Sequence, residues 1–170
     1  MTVLSIMTDI STVGMMKIFA DTGAWIALAD KNDRYHNIAE KVYASIRKKN
    51  IPVIITDYIF DETVTWLHYK IGHDIACGWG NKILNSRMVE IVKVSDEHIN
   101  FAWELFQKYH DQKFSFTDCI SFTIMKLFGT DTVFAYDSHF STMGFRIIGE
   151  EDSFERIISI VTKKSRKKKS

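Results

Sequence analysis

The sequence predicts an α/β protein, a three-layer α/β/α sandwich around a central parallel sheet with strand order 3-2-1-4-5. Three observations carry that expectation. Short β-rich runs such as Ile18-Phe19-Ala20 and Val53-Ile54-Ile55 are apolar without alternation, as strands covered on both faces should be. Longer stretches with apolar residues at helical spacing separate them, which is the pattern of crossover connections in a parallel sheet. Two of the runs end in an acid, Asp21 and Asp137, at the carboxyl ends of strands, where such sheets bind their ligands.

The elements follow in order. Lys17–Ala20 reads as the first strand, followed by a helix from about Thr22 to Asp30 and a second over Asn37–Lys49. Pro52, the only proline, precedes the strand Val53–Ile55. Thr56 or Asp57 can then cap a helix running to about Ile71. His73–Asn85 is a weaker helical stretch, interrupted by Gly78 and Gly80, and Glu90–Val94 reads as a strand. Ser95 caps a helix to about His110, with Ile99, Ala102, Trp103 and Phe106 at core spacing. Ser115 or Thr117 starts a helix that ends at Gly129. Thr132–Tyr136 is a fourth strand and Phe145–Ile148 a short fifth.

The 170 residues suit one domain with a full core, and the composition is ordinary for a globular protein: 46% hydrophobic and 25% charged. No apolar run reaches the roughly 18 residues of a membrane span. Residues 1–16 carry Asp9, have no early basic cluster and do not read as a signal peptide. Cys77 and Cys119 offer neither a disulfide framework nor a zinc spacing, so a cytoplasmic location is expected. We expect a flexible extension over 1–15, the folded domain over 16–150, a helix packing on it over 151–162, and a basic tail over 163–170. The stripe Phe154, Ile157, Ile158 and Val161 is the reason for that last helix; it can close the domain or seat a partner helix. The tail's six lysines and arginines bring the chain from −5 to +1; a solubilising end and a contact for a polyanion such as RNA are both consistent with it.

The acids carry the functional signal. Asp21 and Asp137 stand at strand ends, and Glu62 and Asp118 in the first turns of apolar helices. Glu62 shares a face with Ile59 and Trp66, and Asp118 with Phe122 and Met125. A carboxylate on an apolar face is costly without a partner, and neither helix start has a lysine or arginine at pairing distance. Singly, each acid reads better as a helix-end, turn or solvated helix-edge residue than as part of a site. Four together are hard oxygen donors suited to Mg²⁺ or Mn²⁺.

Four segments carry a resemblance. Phe19-Ala20-Asp21-Thr22-Gly23-Ala24-Trp25-Ile26-Ala27-Leu28 resembles the opening of PIN-domain proteins, particularly the VapC-like toxins. Asp61-Glu62-Thr63-Val64-Thr65-Trp66-Leu67 is similar to their second motif. The third is matched by Ser115-Phe116-Thr117-Asp118-Cys119-Ile120-Ser121-Phe122, the most specific of the four, and the fourth by Ala135-Tyr136-Asp137-Ser138-His139-Phe140. The loop Asn32-Asp33-Arg34-Tyr35-His36 also looks familial. The motif order agrees from about Met16 to Ile148. His139 is a departure, standing where many relatives carry another acid.

The resemblance implies a metal-dependent ribonuclease, metal-site roles for Asp21, Glu62, Asp118 and Asp137, a supporting role for Thr117, an antitoxin partner and a homodimer. On that basis the expected chemistry is hydrolysis of RNA by metal-activated water, leaving a 5′-phosphate. Asp21 and Asp118 would be direct ligands, Asp137 would complete the shell, and Glu62 would hold a water or second ion. Lys31, Arg34, Lys113 and the tail are candidate guides for the RNA backbone. Trp25, Trp66 and Trp103 can stack bases, but their spacing favours core packing. Cys119 reads as a packed thiol rather than a nucleophile. An aspartyl phosphotransferase or receiver domain does not fit, because Asp21-Thr22-Gly23 brings no second acid. A housekeeping RNA-processing nuclease and a catalytically silent binding module of the same fold remain as alternatives.

Overall fold

The computed structural model describes residues 16–149 together with 155, 156 and 159. Residues 1–15, the stripe Phe154, Ile157, Ile158 and Val161, and the basic tail lie outside the described residues.

Five strands form one parallel sheet: β1 (Ile18–Ala20), β2 (Val53–Thr56), β3 (Val89–Val92), β4 (Thr132–Phe134) and β5 (Arg146–Ile147). Their order is β3-β2-β1-β4-β5, as the sequence predicts. The three central strands are buried along their whole length, which explains why they read as unbroken apolar runs. The register pairs Phe19 with Ile54 on one side and with Val133 on the other. One residue further, Ala20 lies beside Phe134. The carboxyl ends of β1 and β4 are therefore level, and the chain order reverses between them.

Seven helices connect the strands: α1 (Thr22–Ala29), α2 (His36–Lys48), α3 (Asp57–Lys70), α4 (His73–Leu84), α5 (Asp96–Lys108), α6 (Phe116–Leu127) and the short α7 (His139–Thr142). Helix α1 packs on α2 and α3, α3 packs on α4, and α5 packs on α6. Both open cap assignments resolve on a hydroxyl. Thr56 accepts from the Ile59 N–H, and Ser115 from the Asp118 N–H, satisfying donors that a helix start leaves without intrahelical partners. Helix α4 runs through Gly78 and Gly80 unbroken. The chain instead turns between α3 and α4 at Gly72, whose φ of 140° suits glycine.

The sequence expectation fails on α5. Of its core-spaced residues only Ala102 is fully buried, while Trp103 is 51% and Phe106 39% exposed. The other helical face is polar, so periodicity alone marked this side as inward. The fourth strand also stops at Phe134, two residues short of the expected Tyr136. Tyr136 leaves the ladder to stack face to face on Tyr35, with ring centroids 4.1 Å apart. Among the described residues no helix is long and apolar enough to cross a membrane.

Candidate active site

Asp21 is placed by the sheet. Its N–H donates to the Phe134 carbonyl at 3.0 Å, extending the β1–β4 ladder one step past the strands. Its carboxylate then caps α1, accepting from the Gly23 N–H at 3.4 Å. The next residue, Thr22, is buried and donates its hydroxyl to Glu62 Oε2 at 2.7 Å. That bond ties the second turn of α3 to the start of α1 and aims Glu62 toward Asp21.

Asp118 is held by a reciprocal capping box. Its N–H donates to Ser115 Oγ at 3.0 Å, and its Oδ2 accepts from the Ser115 N–H at 2.8 Å. The same Oδ2 lies 3.2 Å from His139 Nδ1. Asp137 begins a turn in which Oδ1 accepts from the His139 N–H at 2.8 Å, and that oxygen is 3.3 Å from His139 Nδ1. With a carboxylate on either side, Nδ1 carries the ring proton, since a lone pair there would face two anions.

All four acids line one cleft of about 480 Å³, together with Thr22, Lys113, Ser115, Tyr136 and His139. Thr117 does not line it. That residue opens onto a neighbouring groove of about 490 Å³, which shares only Glu62 with the acidic cleft. Of the cations expected from sequence, Lys113 reaches the cleft wall. Arg34 does not line it, but its guanidinium lies 4.5 Å above the Tyr35 ring, which in turn stacks on Tyr136 of the cleft wall.

The electrostatics of the cleft are one-sided. Loss of hydration, and then the neighbouring Asp118 and Glu62 charges, push the Asp21 carboxyl up to about 7, against the stabilising N–H groups of Gly23 and Thr22. Burial, with Asp118 adding, pushes the Cys119 thiol up to about 11. It therefore stays protonated near neutral pH, and Cys119 is fully buried, as expected for a packed thiol.

A divalent cation fits this donor set chemically. The site is made of hard oxygens, and the cost of ionising Asp21 is the cost a cation would relieve. Among the described residues, no three His, Cys, Asp or Glu side chains converge as a ligand group. Mg²⁺ commonly keeps several waters and takes only one or two carboxylates, so a looser set remains compatible with it.

Sequence reasoning underweighted two residues. Thr22 is visible only as a hydroxyl after a strand-end acid, and its reach to Glu62 spans 40 positions. His139 was legible by proximity to Asp137, but its bond to Asp118 depends on the fold bringing α6 and α7 together.

Such a sheet, with acids from two strand ends and two helices lining one cleft beyond its carboxyl edge, defines a parallel α/β protein with an acidic cleft at the switch in strand order. The PIN domain family matches residues 18–146, and the chain belongs to that family. It is 33% identical over 129 residues to the 23S rRNA-specific endonuclease VapC20 of Mycobacterium tuberculosis, found in two strains, covering 75% of this chain and 95% of the relative. The crystal structure of VapC20, described as a sarcin-ricin loop cleaving toxin, superposes with a TM-score of 0.71 at 31% identity, covering 76% of this chain and 96% of that one.

Proposed function

We propose that this protein is a metal-dependent endoribonuclease and the toxin of a toxin–antitoxin pair, acting in the cytoplasm. The observation that carries this reading is the meeting of Asp21, Glu62, Asp118 and Asp137 on one cleft, with Asp21 raised by burial and by its acidic neighbours. The similarity to a 23S rRNA-specific endonuclease supports RNA as the substrate and makes ribosomal RNA the first to test.

Asp21 and Asp118 would hold Mg²⁺ or Mn²⁺, with Asp137 and Glu62 acting directly or through water. When bound, the ion would lower the pKa of a water and offset charge developing on the phosphoryl oxygens. The chain's own residues do the rest. Ser115 and His139 fix Asp118, so that both of its hydrogen bonds fall on Oδ2 and Oδ1 is the oxygen on offer. Thr22 holds Glu62 at the cleft, where its carboxylate can take a proton from an attacking water. Lys113 and Arg34 supply the positive charge that an acidic cleft needs to accept a phosphate backbone. Thr117, off the cleft wall, would act on Asp118 from behind rather than touch the scissile group.

A homodimer is part of the same reading. The exposed Trp103 and Phe106 form one aromatic cluster with the half-buried Phe116, with ring centroids 5.7 to 6.1 Å apart, and a partly exposed cluster of this kind suits a protein interface. An antitoxin partner belongs to the same proposal, supported by the likeness to a protein described as a toxin.

The deciding assay is cleavage of end-labelled RNA by the purified protein with Mn²⁺, Mg²⁺ or chelator. The reading requires metal-dependent cleavage, 5′-phosphate ends, and loss of activity in Asp21→Asn and Asp118→Asn. Cyclic 2′,3′-phosphate ends, or activity that survives both substitutions, would overturn it. Growth arrest on induction, relieved by a co-expressed neighbouring gene product, is the corresponding test of the toxin role.

A further inference from the structure

Helix α3 carries two faces. Ile59, Thr63 and Leu67 are buried against the sheet side. The flank beside them presents Tyr58, Glu62, Trp66 and Tyr69, at the spacing of three and four residues that aligns one side of a helix, and Lys70 follows at the end of the helix. A helix face of this exposure is ordinarily polar. Here it contributes three aromatic rings to the 490 Å³ groove: Tyr58 and Trp66 are half-buried with part of each packed on the core, and Tyr69 is 78% exposed.

We propose that this groove is a nucleobase subsite, seating the RNA residues that flank the scissile phosphate; it rests on the ribonuclease reading above. Continuity with the cleft is the first argument. Glu62 lines both spaces, and Thr117, one residue before Asp118, lines the groove. A strand whose phosphate lies at the acids has this groove as its adjoining exit. The second argument is chemistry. Tyr58, Trp66 and Tyr69 offer flat apolar faces, and stacking on such rings accepts any base. Asp61 and Glu62 repel phosphate but accept hydrogen bonds from the exocyclic amino groups of bases. The groove's lysine, Lys70, lies eight residues beyond Glu62, about 12 Å along the helix axis, where it would meet the next stretch of backbone rather than the scissile group. A groove with aromatic walls, acids beside the catalytic cleft and a cation at its distal end suits a base-in, phosphate-out strand.

The test uses the full chain and short single-stranded RNA. Tyr69 is so exposed that Tyr69→Ala should leave the fold intact, which circular dichroism would check. On an oligonucleotide cleaved by the wild type, Tyr69→Ala should raise KM about five- to tenfold with kcat little changed. Trp66→Phe, which keeps a ring, should raise it less. In an Asp118→Asn background, anisotropy should show the same loss of affinity. That loss should vanish with an oligonucleotide made abasic beside the cleavage position, because the base that stacks is already gone. An unchanged KM in Tyr69→Ala would overturn the subsite while leaving the nuclease reading in place. So would an equal loss of affinity with the abasic strand, or a loss explained by dissociation of a dimer in light scattering. Failure of the wild type to cleave RNA with Mn²⁺ would instead sink the ribonuclease reading beneath it.

Discussion

His139 Nδ1 sits between two acids, 3.2 Å from Asp118 Oδ2 and 3.3 Å from Asp137 Oδ1. One imidazole thus bridges the start of α6 and the turn after β4. The ring is further fixed from behind by an edge contact with Phe114, at 5.2 Å between centroids.

His139→Ala should therefore leave both acids without their shared donor. Removing a partner that orients a metal-binding carboxylate typically costs about 10–100-fold in metal affinity or activity, and we expect a fall in that range at fixed Mn²⁺. Titrating Mn²⁺ against the cleavage rate checks it. A variant with the wild-type rate and wild-type metal dependence would make the bridge incidental. His139→Asp puts a hard oxygen donor in place of the imidazole, and should shift the half-saturating Mn²⁺ concentration downward.

Asp21 gives a stability prediction. Its folded-state value of about 7 lies above its ordinary value of 3.8, so between those limits the folded state binds a proton that the unfolded state has lost. Stability therefore falls as pH rises from about 4 to about 7, and the full penalty persists above that. Three units correspond to at most roughly 4 kcal/mol. The cleft is open to water, so we expect Asp21→Asn to recover about 2 kcal/mol at pH 8 and almost nothing at pH 4. Asparagine keeps the cap on α1. Urea melts at the two pH values check the sign. Mn²⁺ at pH 8 should stabilise the wild type and not the variant.

How much of this was legible is clearest from β1 and α5. The three residues of β1 lie in the middle of the sheet with both faces covered, so their environment is uniform and a local apolar run reports it. Asp21 then stands out because the run ends. On α5 the same rule misleads: spacing marks a face but not what covers it, and Trp103 and Phe106 are turned outward. The motifs pointed to four acids that the fold brings to one cleft, because each sits at a strand end or in the first two turns of a helix, where the local pattern is distinctive. What they could not supply were contacts made across the chain, Thr22 to Glu62 and His139 to Asp118, because a hydrogen bond between distant segments leaves no periodicity. Thr117 shows the converse: its neighbour faces the cleft while it opens onto the groove beside it, because adjacent helical residues point about 100° apart.

The Thr22–Glu62 bond makes its own prediction. Thr22 is 8% exposed, and its hydroxyl donates at 2.7 Å to a charged acceptor, a class of bond stronger than the neutral kind. Thr22→Val keeps the shape and removes the donor. It should cost about 1 kcal/mol in stability and, by releasing Glu62, lower kcat more than it raises KM. Thr22→Ser should retain most of the activity. Equal kcat in the valine and serine variants would remove Glu62 positioning from the mechanism.

The stack of Arg34, Tyr35 and Tyr136 yields the last test. Tyr136 lines the cleft, Tyr35 lies parallel to it at 4.1 Å, and the Arg34 guanidinium caps the pile 4.5 Å from the Tyr35 centroid. A cation held by ring faces loses less side-chain freedom on meeting a phosphate than a free lysine does. If Arg34 meets one phosphate, Arg34→Ala should weaken single-stranded RNA binding for every sequence alike, and make the slope of log affinity against log salt shallower by about 0.7. Tyr35→Leu leaves the charge but removes the platform. It should weaken binding with the salt slope nearly intact, because the phosphate is still neutralised, only by a less ordered partner. Affinity measured from 50 to 300 mM salt separates the two variants, and a wild-type slope in Arg34→Ala would take Arg34 out of the RNA path.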